Sequence, residues 1–310
     1  MTYLTEAFKK QYHDTFAMVM QQRQSALQSR VRNEDQKAET KFWTYLEKTS
    51  AVEGREVGSA TVRVATQNRR RACTLAPITW GDITSDIENV QSLGDPSSAY
   101  LQNGVAAIER GKDKKILTAA YANVLTGKDG TVSVSITDEC YKLNGDGSVA
   151  APGTALSATT DTGLSLVKLA QIGSIMDDNS VPSEGRVIVA NTIQKWALLG
   201  SSKVQSIDYN NVKALVQGQV NTFMGFEFVW LPNELFTEDP TDTGCYQCLA
   251  FQRDSMLLAT GFGLKTRLSE REDLNYDTQV WAEVLNGAVR LQPEGVVPVL
   301  LDKDPTPSYS

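Results

Sequence analysis

Histidine is almost missing from this 310-residue chain, which carries His13 alone. A serine–histidine–aspartate or cysteine–histidine centre would have to use that residue, and the polar N-terminal stretch around it offers little to hold a base in register. Cysteine is scarce too, at four. Without a secretion signal, this argues for reduced, buried thiols over a disulfide framework. Cys245 and Cys248 have redox or zinc-ligand spacing. They lie in a strand-like run, however, where an offset of three sends the two sulfurs to opposite faces. No second such pair completes a four-ligand site, so no metal and no cofactor are expected.

Long apolar runs are also lacking. Nothing approaches the roughly 18 residues a membrane span requires, and the first ten residues lack an apolar signal core. No membrane partner is expected, and the chain is expected to stay in the cytoplasm where it is made. Net basic charge is absent: the chain stands at −7, with a pI near 5.0, which disfavours a dedicated nucleic-acid binder. Gly127-Lys128 has the look of a phosphate loop's end, but Ala122 replaces the earlier glycine and Asp129 the Ser/Thr. Gly261 and Gly263 lack the third glycine of a dinucleotide fingerprint. Acidic clusters at Asp82, Asp86 and Glu88, at Glu234, Glu238 and Asp239, and at Glu270, Glu272 and Asp273 have no histidine or glycine-rich frame around them. Solvated faces are the plain reading of these. No catalytic residue is assigned, and the chain is not expected to be an enzyme.

What is present is a basic hairpin on an acidic body. Residues 55–78 read as two strands, 61–66 and 69–75, around a tip at Gln67-Asn68. Such a hairpin is marginal alone, because few apolar contacts offset the ordering of its backbone. It carries Arg55, Arg63, Arg69, Arg70 and Arg71 against Glu56, a local charge of +4, which leaves −11 for the rest. Opposite charge steers association and fixes register. Contact between copies of the chain is one reading, and a solvated or DNA-touching loop is the other. The candidate acceptors are Asp82, Asp86, Glu88, Glu270, Glu272 and Asp273.

Upstream, residues 1–40 are polar and Gln-rich, an arm whose order comes from neighbours. Asp95, Pro96 and Ser97 start a helix over 97–122, about 39 Å long at ~1.5 Å per residue, with Gly127 as its stop. Its charged middle, 109–115, reads as a solvated face. Further helices are expected over 161–178, 192–199 and 210–220, and strands over 186–190, 226–231, 245–251 and 265–268. Strand-rich sequence follows over 279–299, then a polar tail.

Three segments, in this order and spacing, resemble the major capsid protein of tailed bacteriophages, the Hong Kong 97-type fold. The stretch 106–117 with the glycine-rich 125–130 resembles that family's long helix and its exit. Residues 178–190, with Val181-Pro182, resemble its helix, turn and strand in the axial domain. The third run comprises 225–228, 250–253, 270–273, 279–280 and 287–290, and resembles its closing stretch. The resemblance covers the chain to about Val299. It implies an α+β fold with an N-terminal arm (1–41) and an extended hairpin loop (42–78). A peripheral domain holds the spine helix and a β-sheet (79–129 and 261–310), and an axial α/β domain covers 130–260.

The function this implies is a coat protein that self-assembles, as pentamers and hexamers, into an icosahedral shell around a double-stranded DNA genome. Its implied partners are copies of itself, a scaffolding protein, a portal, decoration proteins and DNA held non-specifically. Its place is the virion, after assembly in the host cytoplasm. About 40 residues before the hairpin are too few for a cleaved scaffolding segment, so a separate scaffold is expected. Residues 55–78 contain no lysine, so no lysine–asparagine weld from that loop is expected. An encapsulin-type compartment shell is the alternative with the same fold.

Overall fold

The computed structural model describes residues 21–54, 57–58, 60–61, 63–84, 97–156, 162–200, 222–240, 244–274 and 276–305. His13, the helix start at Asp95-Pro96 and the helix expected over 210–220 lie outside the described residues.

In chain order, β1 (Arg32–Asp35), β2 (Thr40–Leu46), β3 (Asn68–Thr74) and β4 (Ala76–Thr84) precede the long helix α1 (Ser97–Tyr121). Then come β5 (Val124–Thr126), β6 (Val132–Val134), the single turn α2 (Ile136–Glu139), β7 (Lys142–Leu143) and β8 (Val149–Ala150). Helix α3 (Leu166–Asp178) leads to β9 (Arg186–Asn191) and α4 (Thr192–Gly200). Among the described residues that follow, the strands are β10 (Thr222–Phe223), β11 (Phe226–Leu231), β12 (Cys245–Gln252), β13 (Met256–Arg271), β14 (Asp277–Arg290) and β15 (Val296–Asp302).

The chain divides into two units. The smaller takes Met1–Ser25, Ala76–Lys112 and Phe262–Asn286. In it β4 pairs antiparallel with β14, and Ile108 of α1 packs on Ala282 and Val284 with Ile78 and Trp80 beside them. Gly104 explains itself here. A glycine inside a helix costs about 1 kcal/mol relative to alanine, yet a Cβ at this position would stand 2.2 Å from Cε3 of Trp80. The helix thus gives up propensity to seat an indole. Gly104→Ala is expected to destabilise by about 1–3 kcal/mol, reversing the sign that propensity alone gives. Thermal melting of the variant checks the sign.

The larger unit takes Ala26–Leu75, Asp113–Gly261 and Gly287–Ser310. Its sheet runs β10-β11-β9-β12-β15-β7-β8. Strand β9 is buried at all six positions, as befits a continuous Val/Ile run covered on both faces. Strand β11 begins and ends where the sequence places it, with Pro232 next. Lys168 of α3 is buried, and its ammonium is solvated by protein carbonyls: Gly145 O at 2.8 Å, Thr162 O at 2.6 Å and Leu300 O at 3.3 Å. One side chain thereby ties α3, the β7–β8 hairpin and β15.

Residues 287–310 belong to the larger unit. Strand β15 is buried along nearly its whole length and lies mid-sheet between β12 and β7, because an unbroken apolar strand must be covered on both faces. The middle of α1 is not a solvated face. Asp113 is fully buried and accepts the Ala26 and Leu27 backbone N–H groups at 3.0 Å each, so its carboxylate holds the arm's last turn. Gly127 does not cap α1. It sits at φ +92° in the turn between β5 and β6, where a left-handed residue is needed. The four cysteines are free and buried. Burial pushes Cys73 up to about 11 and Cys140 and Cys248 up to about 12, which leaves them as packing groups. Among the described residues no helix is long and apolar enough to cross a membrane.

Candidate assembly interface

The hairpin exists with its second strand close to the expected 69–75, as β3 (Asn68–Thr74), but its first strand is not 61–66. Strand β2 pairs antiparallel with β3, Thr40 opposite Thr74 and Leu46 opposite Asn68. The physical reason is the face each strand can bury. Lys41, Trp43 and Tyr45 alternate inward along β2, and Trp43 packs on a cluster of Cys73, Val124, Leu257, Ala259, Val289 and Leu291. Residues 61–66 have only Val62, Val64 and Ala65 to offer. The described residues among them lie outside the sheet, in the loop 47–67 that joins the two strands, and every described residue from 63 to 67 is exposed.

The stem is held by charge. Arg71 is fully buried and donates to Glu139 Oε1 at 2.5 Å and to Tyr45 Oη at 3.3 Å. Burial works against the Arg71 charge, but the bond to Glu139 and the neighbouring Tyr45 outweigh it and raise its pKa. The same carboxylate lies 3.6 Å from Arg290, also fully buried, and 3.9 Å from Arg69. Arg290 Nη1 in turn donates to Ala120 O at 2.6 Å. Glu139 is therefore a hub for three guanidinium groups brought from the hairpin and from β14. Arg69 also pairs with Glu47 across the stem.

Each candidate contact residue is placed as follows. Arg71 turns inward and donates to Glu139 of its own chain. Arg69 is half-exposed at the stem, while Arg63 and Arg70 are exposed. Arg55, Asp86 and Glu88 lie outside the described residues. Asp82, on β4, accepts the Ile83 backbone N–H at 2.9 Å. Glu270, near the end of β13, and Glu272 and Asp273, in the turn after it, are exposed, and Asp273 pairs with Arg271 at 2.6 Å. Glu139, Glu47, Tyr45 and Arg290 complete the stem, and no local motif marks any of them.

The arm is anchored by buried charge, and the described residues of its loop from 48 to 67 are exposed. Residues 4–303 match the sequence model of the family described as phage capsid protein. The chain belongs to the phage capsid protein family. No curated protein sequence matches it significantly. Among solved structures, it is similar to the capsid of Ralstonia phage GP4, with a TM-score of 0.71 at 14% identity over 99% of both chains. It is also similar to the capsid of Cyanophage P-SCSP1u, with a TM-score of 0.68 at 15% identity over 97% of this chain and 95% of that one. A chain of Mycobacterium phage Che8 gives 0.67 at 17% identity, covering 95% and 97%. The fold is thus the α+β capsid fold of the Hong Kong 97 type. The phage capsid protein is a major capsid protein, a structural component of the virion, and the encapsulin reading gives way to this one.

Proposed function

We propose that copies of this chain close into an icosahedral shell of pentamers and hexamers, and that the loop 47–67 of each copy lies across its neighbour. The loop itself carries the reading. Leu46 (69% exposed), Val52 (57%), Val57 (108%) and Val64 (42%) leave apolar surface open along a segment whose stem is fixed. Exposed apolar groups on a tethered segment are covered when a partner arrives, so ordering and association are coupled. Arg63 and Arg70 supply the charge for register on the neighbour's acidic surface, with Glu270, Glu272, Asp273 and Asp82 as acceptors.

In this reading α1 is the spine of a peripheral domain and the seven-stranded sheet the core of an axial one. A separate scaffolding protein guides closure in the host cytoplasm, a portal occupies one vertex, decoration proteins bind outside, and DNA is enclosed without specific contacts. An acidic body suits that last task, since a strongly basic lining would hold DNA during packing. Negative-stain electron microscopy of the expressed chain, with and without its scaffold, tests the proposal. Closed shells, tubes or capsomer rings are expected, and a monodisperse small oligomer in both samples would refute it.

A further inference from the structure

Besides the loop, the stem of the hairpin carries a feature of its own. A cavity of ≈ 420 Å³ is lined by Asn68, Arg69 and Arg70 of β3 together with Thr126, Gly127 and Lys128. Two hairpins build it, and they are fastened together. Thr126 Oγ1 donates to Arg70 O at 2.6 Å, and a Cβ on Gly130 (φ +68°) would touch the Phe42 ring at 3.0 Å, so the β5–β6 turn sits against the stem. The left-handed Gly127 (φ +92°) then sets Lys128 on the cavity wall.

Among the described residues, three cations line this cavity and no carboxylate does. Arg69 is served by Glu47 and, more distantly, by Glu139. Arg70 and Lys128 are exposed and form no ion pair among the described residues. Asp129 follows Lys128 in the chain but lies off the cavity wall. On a body whose remaining charge is strongly negative, such a concentration of unpaired positive charge calls for an anionic partner.

We propose that this cavity is a socket for carboxylates of a second copy, and that the neighbour's acidic turn at residues 270–273 fills it. The inference rests on the shell reading above and adds Lys128 and the stem to the interface. The turn fits by charge: Glu270 and Glu272 are exposed and make no ion pair among the described residues. It fits by surface as well. Leu268 (54% exposed), Leu274 (36%) and Tyr276 (63%) flank it, and apolar side chains left open beside unpaired carboxylates mark a place that another molecule covers. A nucleic-acid phosphate is the less favoured anion, because the chain's net charge of −7 repels a duplex.

The test is a charge exchange on the full chain, scored by particle yield and particle image. Arg70→Glu with Lys128→Glu is expected to cut yield at least about tenfold while leaving the melting temperature of the free subunit unchanged, since both side chains are exposed. Glu270→Lys with Glu272→Lys is expected to do the same. The four substitutions together are expected to restore particles, since the pair then meets with reversed signs. Wild-type yield from both double variants, or no rescue by the combination, overturns the socket while wild-type shells keep the shell reading standing. Normal particles that lose only their hold on DNA would assign the cations to nucleic acid and likewise overturn it. If the wild-type chain itself forms no particle, the shell reading falls, and the socket with it.

Discussion

Glu139→Leu is expected to lower the stability of the free subunit by about 3–5 kcal/mol, more than any exposed charge change in the molecule. The argument is one of balance. Arg71 and Arg290 are both fully buried, and Glu139 is the single carboxylate within 4 Å of either among the described residues. Removing it leaves two guanidinium charges out of water with no counter-charge. Breaking a buried pair costs far more than the pair itself contributes. Glu139→Gln keeps an acceptor oxygen for Arg71, so a smaller loss is expected from it. The triple change Arg71→Met, Glu139→Leu and Arg290→Met removes the charges together and should recover much of the deficit. Urea unfolding of the four proteins measures these differences. A triple variant no better than Glu139→Leu would show that the side chains act by packing and not by charge. The surface pair Arg271–Asp273 is the control: both partners are open to solvent, and its removal should leave the unfolding curve in place.

Replacing residues 48–66 with a two-residue Asn-Gly turn is expected to abolish shell assembly while changing subunit stability by about 1 kcal/mol or less. The stem can close without the loop. Leu46 faces Asn68, Glu47 N–H donates to Gln67 O at 3.0 Å, and an Asn-Gly type I′ turn matches the twist of such a pair. Shortening a loop changes closure entropy only slowly, so the folded subunit has little to lose. The shell has much to lose, because Val52, Val57, Val64 and Arg63 go with the loop. Size-exclusion chromatography and circular dichroism of the variant distinguish the outcomes. Shells of normal yield from the shortened chain would remove the loop from the assembly mechanism. A reversal spanning Arg69, Arg70 and Arg71 could not make this distinction, since glutamate at 71 would meet Glu139 inside the subunit and unfold it.

Features governed by near neighbours were legible in the sequence. The periodicity of α1 gave 97–122 against an observed Ser97–Tyr121, and the strand at Phe226–Leu231 was read to the residue. The hairpin pairing was not legible. Thr61-Val62-Arg63-Val64 has the alternation of a strand, but pairing is decided by what a face can bury. Trp43 and Tyr45 win that contest from 20 or so residues away, across a loop no turn rule describes. The buried middle of α1 was misread for a related reason. Asp113 looks solvated until the Ala26 and Leu27 N–H groups arrive from 87 and 86 residues away. The arginine cluster was visible as charge but not as two roles. Strand alternation sends Arg71 to the interior and leaves Arg70 outside, and only the fold shows Glu139, 68 residues on, waiting for the first. The last strand, β15, has the unbroken apolar run of a strand covered on both faces, and it lies in the larger sheet between β12 and β7.

The most direct test of the account is a cryo-electron microscopy reconstruction of shells assembled from the wild-type chain, at a resolution that traces the main chain of the loop 47–67. The loop is expected to appear as ordered density lying on an adjacent subunit, with Val52 and Val57 covered there, while the stem keeps Arg71 on Glu139 of its own chain. A loop folded back on its own subunit, or absent from the density of a closed shell, would contradict the claim that this arm joins one copy to the next.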